Sequence, residues 1–318
     1  MTATVAVLVE HRGAEIAQPT LEALTLARTI GTPVAVWIGS EPTEDAIDEL
    51  GAYGAAEVRV LAIGERARRP KTVASGLAAV TADTALVLMV STFVNKEIAA
   101  DLALMTGAGV VVDAAGAEMV DGRIEADQTV FAATWNVRTR VNADRAIVAV
   151  RPNTTQAAPA ETPAAAELVS VVVALPEPRE TLVSVEPVDR AAGVPLSEAA
   201  VVVAGGRGTS GDYTLVRELA DVLGAAVGAS RDATDEGWIG HDHMVGQTGV
   251  TVTPALYVAC GISGAVHHRG GMQASGTIVA VNIDPDAPIF EIADFGVVGD
   301  LNDVLPQAIA ALAAHRGR

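Results

Sequence analysis

Residues 254–301 read PALYVACGISGAVHHRGGMQASGTIVAVNIDPDAPIFEIADFGVVGDL. Two short, continuous apolar runs rich in β-branched residues, Ala255–Cys260 and Thr277–Val281, carry the strand signal of a parallel sheet covered on both faces. Each run ends in ligand-type chemistry. Gly261, Ser263 and Gly264 follow the first run and open a helix-like segment bearing His267 and His268; Asn282, Asp284 and Pro285 follow the second. Ligands of open α/β sheets sit at the carboxyl ends of the strands. A Ser-Gly turn that opens a helix points free N–H groups outward, toward a phosphate. An Asn or Asp at the next strand end suits a ribose or an adenine edge. The physical reading is a site for a phosphorylated nucleotide cofactor.

Upstream stretches extend the pattern. Val202–Gly208 (VVAGGRG) and Ala226–Arg231 (AVGASR) each end a strand signal, and Val245–Gly249 (VGQTG) is loop-like. Gly206-Arg-Gly208-Thr-Ser-Gly211 matches the GxGxxG of a nicotinamide dinucleotide site. The acidic residue such a site needs about 20 positions on is misplaced, however: Asp221 comes too early and Asp232 lies past the next strand. A tight turn that permits close packing is the plain alternative. Ser230 is equally an N-cap, with Arg231 a surface cation. Asp284-Pro285 is a turn initiator. Adjacent helix residues diverge by ~100°, so His267 and His268 cannot both face one ligand. Four histidines, His241, His243, His267 and His268, have no cysteine beside them, and HxH alone is weak evidence of a metal.

The runs GISGAxxHxxGM, IVAVNxDxxAPIF and ADFGVVGD, taken in order with the three upstream segments, closely resemble the FAD-binding signature of the electron-transfer flavoprotein α subunit, the FixB-like family. The resemblance is strong from about residue 199 to 318 and only general in the N-terminal half. It implies that Arg207, Ser230 and Arg231 lie by the flavin, where the Arg231 cation raises the potential. It also implies that Gln247, Thr248 and Gly249 contact the ring or ribityl chain, with the Thr248 hydroxyl near N5. Gly261, Ser263, Gly264 and Ala265 form the cofactor turn. His268 is the flavin histidine at the pyrimidine end, a donor whose effect is larger if it is protonated. His267 stands where the family has Gln, which leaves its role open, and Lys is replaced at Val250 and Ile283. Asn282 and Asp300 match positions facing the adenosine half.

The whole chain supports this frame. Its 318 residues suffice for two domains. Hydrophobic residues make up 50% and aromatics 3%, so the core is built of Ala, Val, Leu and Ile. A net charge of −18 lacks the basic footprint of nucleic-acid binding. The single cysteine, Cys260, excludes an internal disulfide and reads as a small buried hydrophobe. No run reaches the ~18 apolar residues of a membrane span. The start has no basic region before an apolar stretch, so a cytoplasmic protein that is not an integral membrane protein is expected.

Strand and helix signals alternate from residue 4 to 112. Strands at 128–134, 137–141 and 146–150 then suggest antiparallel hairpins, and residues 152–166 a flexible surface loop. Further strands are expected at 169–175 and 181–188, with the domain boundary at 187–197. The expected fold is α/β in two domains. Residues 1–190 form a Rossmann-like domain, by resemblance adenine-nucleotide-hydrolase-like and without its own cofactor. Residues 198–318 form a flavodoxin-like (DHS-like) parallel-sheet FAD domain.

The resemblance further implies an electron carrier in a heterodimer with a β subunit that binds AMP or a second FAD. Such a carrier takes electrons from acyl-CoA or other dehydrogenases, as in fatty-acid β-oxidation, and passes them to a quinone oxidoreductase or similar acceptor. A flavin-bifurcating relative using NADH and a non-redox adenine-nucleotide module are the alternatives.

Overall fold

Two large sheets organise the chain: a nine-stranded mixed sheet with a parallel centre and a five-stranded parallel sheet. The computed structural model describes residues 3–131, 134–175, 181–185 and 194–316. Two compact units emerge: Met1–Thr129 with Asn136–Asp189, and Val130–Trp135 with Arg190–Arg318.

The first unit contains β1 (Thr4–Leu8), β2 (His11–Arg12), β3 (Glu15–Ile16), α1 (Gln18–Ile30), β4 (Thr32–Ile38), α2 (Glu44–Ala52) and β5 (Glu57–Leu61). It continues through α3 (Pro70–Val80), β6 (Leu86–Val90), α4 (Phe93–Thr106), β7 (Gly109–Val120), β8 (Arg123–Val130), β9 (Trp135–Arg140), β10 (Ala146–Val150) and β11 (Glu167–Val171). The sheet order is β11-β5-β4-β1-β6-β10-β7-β8-β9. The chain reverses its direction of travel between β1 and β6, as in a Rossmann-like sheet. Alternation within β1 splits the core into two layers: Val5 and Val7 pack on one face, Ala6 and Leu8 on the other. The start of α2 is fixed by a cap, the Thr43 hydroxyl accepting from the Ala46 N–H at 3.3 Å.

Three expectations need correction. Ala146–Val150 is not part of an antiparallel hairpin, because β10 lies parallel to β6 on one side and to β7 on the other. All five of its residues are buried, which demands cover on both faces. An antiparallel hairpin is formed by β7 and β8, closed by Asp121 (φ 49°) and Gly122 (φ 76°), and β9 lies beside β8, as the expected strands at 128–134 and 137–141 imply. Both left-handed residues match the twist a two-residue hairpin turn requires. Residues 152–166 form no strand or helix, yet they are tied down. The Asn153 N–H donates to Glu22 Oε2 at 2.7 Å, the Ala158 N–H to Thr25 Oγ1 at 3.1 Å and the Ala164 N–H to the Gly51 carbonyl at 3.0 Å. Thr181–Val185 is exposed and carries no strand; residues 186–188 of that expected strand, and most of the boundary expected at 187–197, lie outside the described residues.

The second unit contains β12 (Val201–Gly205), α5 (Thr214–Leu223), β13 (Ala226–Ala229), α6 (Arg231–Asp235), β14 (Leu256–Cys260), α7 (Val266–Met272), β15 (Thr277–Asn282), β16 (Phe295–Val298) and α8 (Leu301–Arg316). Its sheet runs β13-β12-β14-β15-β16, with every neighbouring pair parallel. Numbered from its own first strand this order is 2-1-3-4-5, the flavodoxin-like arrangement, with the switch point between β12 and β14. Tyr257 and Ala259 pack into one layer, Val258 and Cys260 into the other. Cys260 is fully buried, and burial pushes its thiol up to about 12, consistent with a packing role.

Candidate functional site at the carboxyl edge of the second sheet

The parallel register brings all five strand ends to one edge. Gly205 lies opposite both Ala229 and Cys260, Cys260 opposite Val281, and Asn282 opposite Val298. The loops leaving this edge carry Arg207, Ser230, Arg231, Gly261, Ser263, Gly264, Ala265 and Asp300, and Asn282 ends its strand there.

Glycine makes the switch point possible. The Gly206 N–H donates to the Cys260 carbonyl at 2.9 Å and the Gly208 N–H to the Gly261 carbonyl at 3.0 Å. A Cβ on Gly206 would lie 2.5 Å from the Gly261 oxygen, so the two diverging loops meet backbone to backbone. The plain reading of GxGxxG as a close-packing turn therefore holds, with the Gly261 loop as the packing partner. Gly264, at φ +83°, carries the chain past the Ile289 backbone, where a Cβ would be 2.4 Å from the Ile289 nitrogen. Ala265 then precedes α7 without any side-chain cap. Ser263 is exposed, and its carbonyl accepts from the Ile289 N–H at 3.0 Å.

Several residues are committed to the protein itself. The Ser230 hydroxyl caps α6, accepting from the Ala233 N–H at 3.4 Å. Asn282 is buried; its Nδ2 donates to the Ile262 carbonyl at 2.9 Å and its Oδ1 accepts from the Asp284 N–H at 3.0 Å. The Asp284 carboxylate accepts from the Asp286 N–H at 2.9 Å, the turn role read from its sequence. Asp300 Oδ1 accepts from the Asn302 N–H at 2.8 Å at the start of α8. Two exposed cations stand at the edge: Arg207 pairs with Asp232 at 3.1 Å and Arg231 with Asp235 at 3.1 Å.

The Gly246–Gly249 loop lies flat on α7. A Cβ on Gly271 would be 2.4 Å from the Gly246 Cα, and one on Gly270 would be 2.6 Å from Gln247 Cγ. The Gln247 N–H donates to the His267 carbonyl at 2.9 Å, and His267 Nδ1 meets Gln247 Oε1 at 3.0 Å. His267 thus has a partner that its sequence position does not reveal. Thr248 is exposed, and the Gly249 N–H donates to the Gly246 carbonyl at 3.1 Å.

The two histidines diverge as helix geometry requires. His267 is exposed, whereas His268 is 7% exposed and its Nε2 lies 2.9 Å from the hydroxyl of the fully buried Tyr257. Burial pushes His268 down to about 4, against the opposing pulls of the Val245 backbone and the Asp232 charge. At neutral pH the ring is neutral, so the stronger protonated donor considered above is not the form present. Its Nδ1 is buried and makes no hydrogen bond. Sequence reasoning does not single out Tyr257, and it weighs Asp232 only as the acid of a dinucleotide site, not as the partner of Arg207. The signal for Tyr257 was a hydroxyl inside a core strand, which must find a partner when buried.

Among the described residues, no group of three or more His, Cys, Asp or Glu is arranged to hold a metal ion, and no helix is long and apolar enough to cross a membrane. The edge offers exposed hydroxyls, two cations with exposed partners, an uncapped helix start and a buried imidazole nitrogen without a partner. That donor set fits a phosphorylated ligand that also carries hydrogen-bond acceptors.

Comparison with known proteins agrees. Residues 195–273 match the electron transfer flavoprotein FAD-binding domain, and residues 5–176 match the electron transfer flavoprotein domain. The electron transfer flavoprotein subunit alpha of Mycobacterium leprae (strain TN) is 42% identical over 318 residues, covering 98% of each chain. That of Bacillus subtilis (strain 168) is 38% identical over 314 residues, covering 95% of each. Protein FixB of Clostridium saccharobutylicum is 53% identical over 119 residues, which is 37% of this chain and 36% of that protein. The chain belongs to the electron transfer flavoprotein α-subunit family, and a flavin is the cofactor its second unit is built for.

Proposed function

We propose that this chain is the FAD-carrying α subunit of a heterodimeric electron carrier. The observation that carries the reading is the alignment of five strand ends at a flavodoxin-like switch point, with the predicted ligand residues on the loops that leave it. The flavin supplies reversible electron uptake when bound.

The chain's own residues bind and orient it. The uncapped N–H groups at the start of α7 and the exposed Ser263 hydroxyl would take a phosphate. Gly261, Gly264 and Ala265 bring that helix start close to the edge. Arg207 and Arg231 are held by exposed carboxylates, and pairs this exposed bind their partners weakly. They can therefore turn from Asp232 and Asp235 to the cofactor's negative charge. Gln247 and Thr248 would contact the ring, with Gly249 closing their turn and His267 holding the Gln247 amide. His268 would face the pyrimidine end as a neutral donor. Asn282 and Asp300 would shape the adenosine end by fixing the loops that contain them, as Ser230 does for Arg231.

The partner under this reading is a β subunit carrying AMP or a second FAD. Acyl-CoA or other dehydrogenases are the donors, a quinone oxidoreductase or similar protein is the acceptor, and the setting is the cytoplasm. Mass spectrometry of the affinity-purified native protein tests this. FAD together with a second polypeptide supports the reading. A lone chain carrying a nicotinamide dinucleotide, or one with its own dehydrogenase activity, overturns it.

A further inference from the structure

Tyr257 sits at the second position of β14, between Val202 and Ile278 on the neighbouring strands. It is fully buried, and its hydroxyl lies 2.9 Å from His268 Nε2, the rings meeting edge to face at 62°. A phenol has one proton to donate, and a neutral imidazole has one donor and one acceptor nitrogen. Two arrangements satisfy the contact. In one, the phenol donates to Nε2 and the ring proton sits on Nδ1. In the other, Nε2–H donates to the phenol, whose own proton is then left in the apolar interior. The second arrangement strands the phenolic proton and also an Nδ1 lone pair; the first strands only an N–H. Burial also holds Tyr257 well above the ordinary phenol value, so its proton stays in place. The Val245 backbone also favours a proton on the ring. Among the described residues of the second unit, Nδ1 is the one buried side-chain polar atom without a hydrogen-bond partner.

From this geometry we infer that Tyr257 is a positioning residue, which donates to His268 Nε2 and thereby confines the ring proton to Nδ1, the atom His268 presents to a carbonyl oxygen of the cofactor. The last clause rests on the flavin reading above; the position of the proton does not. A core tyrosine thereby acts in cofactor recognition through a second residue. It also specifies which nitrogen does the recognising.

The test has two independent arms, both on the full chain with its partner subunit. The first is ¹⁵N NMR of the His268 ring, read through couplings to its carbon-bound protons, in the cofactor-stripped protein. The expected result is a protonated Nδ1 and an unprotonated Nε2. In Tyr257→Phe the two nitrogens should move toward each other as the preference is lost. A protonated Nε2 in the parent overturns the inference without any variant, and unchanged shifts in Tyr257→Phe also overturn it. The second arm is a double-mutant cycle on the FAD dissociation constant. Tyr257→Phe should weaken FAD roughly tenfold in the parent, the scale of one net hydrogen bond. In a His268→Ala background it should change the constant by less than about twofold. Equal effects in both backgrounds would mean that Tyr257 does not act through His268. If no FAD binds to any form, the flavin reading fails, and the NMR arm alone decides where the proton lies.

Discussion

Gly208 and Gly261 touch backbone to backbone: a Cβ on either would lie 2.7 Å from the Cα of the other. Gly261 also sits at φ +61°, in the left-handed region. Gly261→Ala therefore combines a conformational cost of roughly 1–2 kcal/mol with an overpacking cost of roughly 1–3 kcal/mol. Gly224, at φ +66°, has nothing within 4 Å of its would-be Cβ, so Gly224→Ala carries the first cost alone. Urea denaturation of both variants should show the larger loss at Gly261, together with loss of cofactor binding there and its retention at Gly224. Equal losses would mean that the two loops can part freely.

Asn282 ties the end of β15 to the Gly261–Gly264 turn through its bond to the Ile262 carbonyl. Asn282→Asp replaces a donor with an acceptor facing that carbonyl. It should cost more than Asn282→Ala, by roughly 1–3 kcal/mol of unsatisfied polar burial. Thermal denaturation of the two variants side by side checks the order. An aspartate as stable as the alanine would show that the turn relaxes away from this side chain.

The two units should respond to acid in opposite directions. Burial pushes Glu22 from 4.5 up to about 7, against the hydrogen bond from Asn153. A carboxyl raised on folding adds stability that is complete below its unfolded value and lost as pH rises through about 7. His268, lowered from 6.5 to about 4, favours the folded state above 6.5, and that contribution is lost as pH falls toward 4. Between these limits, acid strengthens the first unit and weakens the second. Hydrogen exchange of core amides in β1 and β14 at pH 5 and pH 7 reads the two trends separately. Glu22→Gln should flatten the β1 trend and leave β14 alone. Parallel trends in both strands, or a β1 trend that survives Glu22→Gln, would contradict the assignment.

His268 and His267 differ in surroundings, and their variants should differ accordingly. Removing a neutral donor by His268→Ala should lower the first-electron potential of bound flavin. The expected shift is on the order of 20–65 mV, from 0.5–1.5 kcal/mol at ~59 mV per tenfold. His267→Ala frees the Gln247 amide and should shift the potential much less. Spectroelectrochemical titration of both variants decides, and a larger shift from His267→Ala would contradict the placement of the two rings.

The parts of the fold legible in sequence were those in which burial alone dictates the pattern. β14 and β15 are continuous apolar runs, and both are found where expected. β10 was recognised as a strand but given the wrong neighbours, because its pairing with β6 and β7 depends on distant chain. β16 was missed: it is four residues long, lies at the sheet edge and is largely exposed, so no burial pattern marks it. At the site, the strand-end loops were legible from glycine and hydroxyl spacing. The contacts of Tyr257 with His268, Arg207 with Asp232 and His267 with Gln247 were not, since each joins residues on different loops or elements.

The most direct measurement is an equilibrium titration of the cofactor-stripped protein, with its partner subunit, against FAD and separately against nicotinamide dinucleotides, followed by absorbance and calorimetry. Saturation at one FAD per chain, a bound-flavin spectrum and no competition from the nicotinamide dinucleotides are expected. Saturable nicotinamide dinucleotide binding without any flavin binding would contradict the flavin reading.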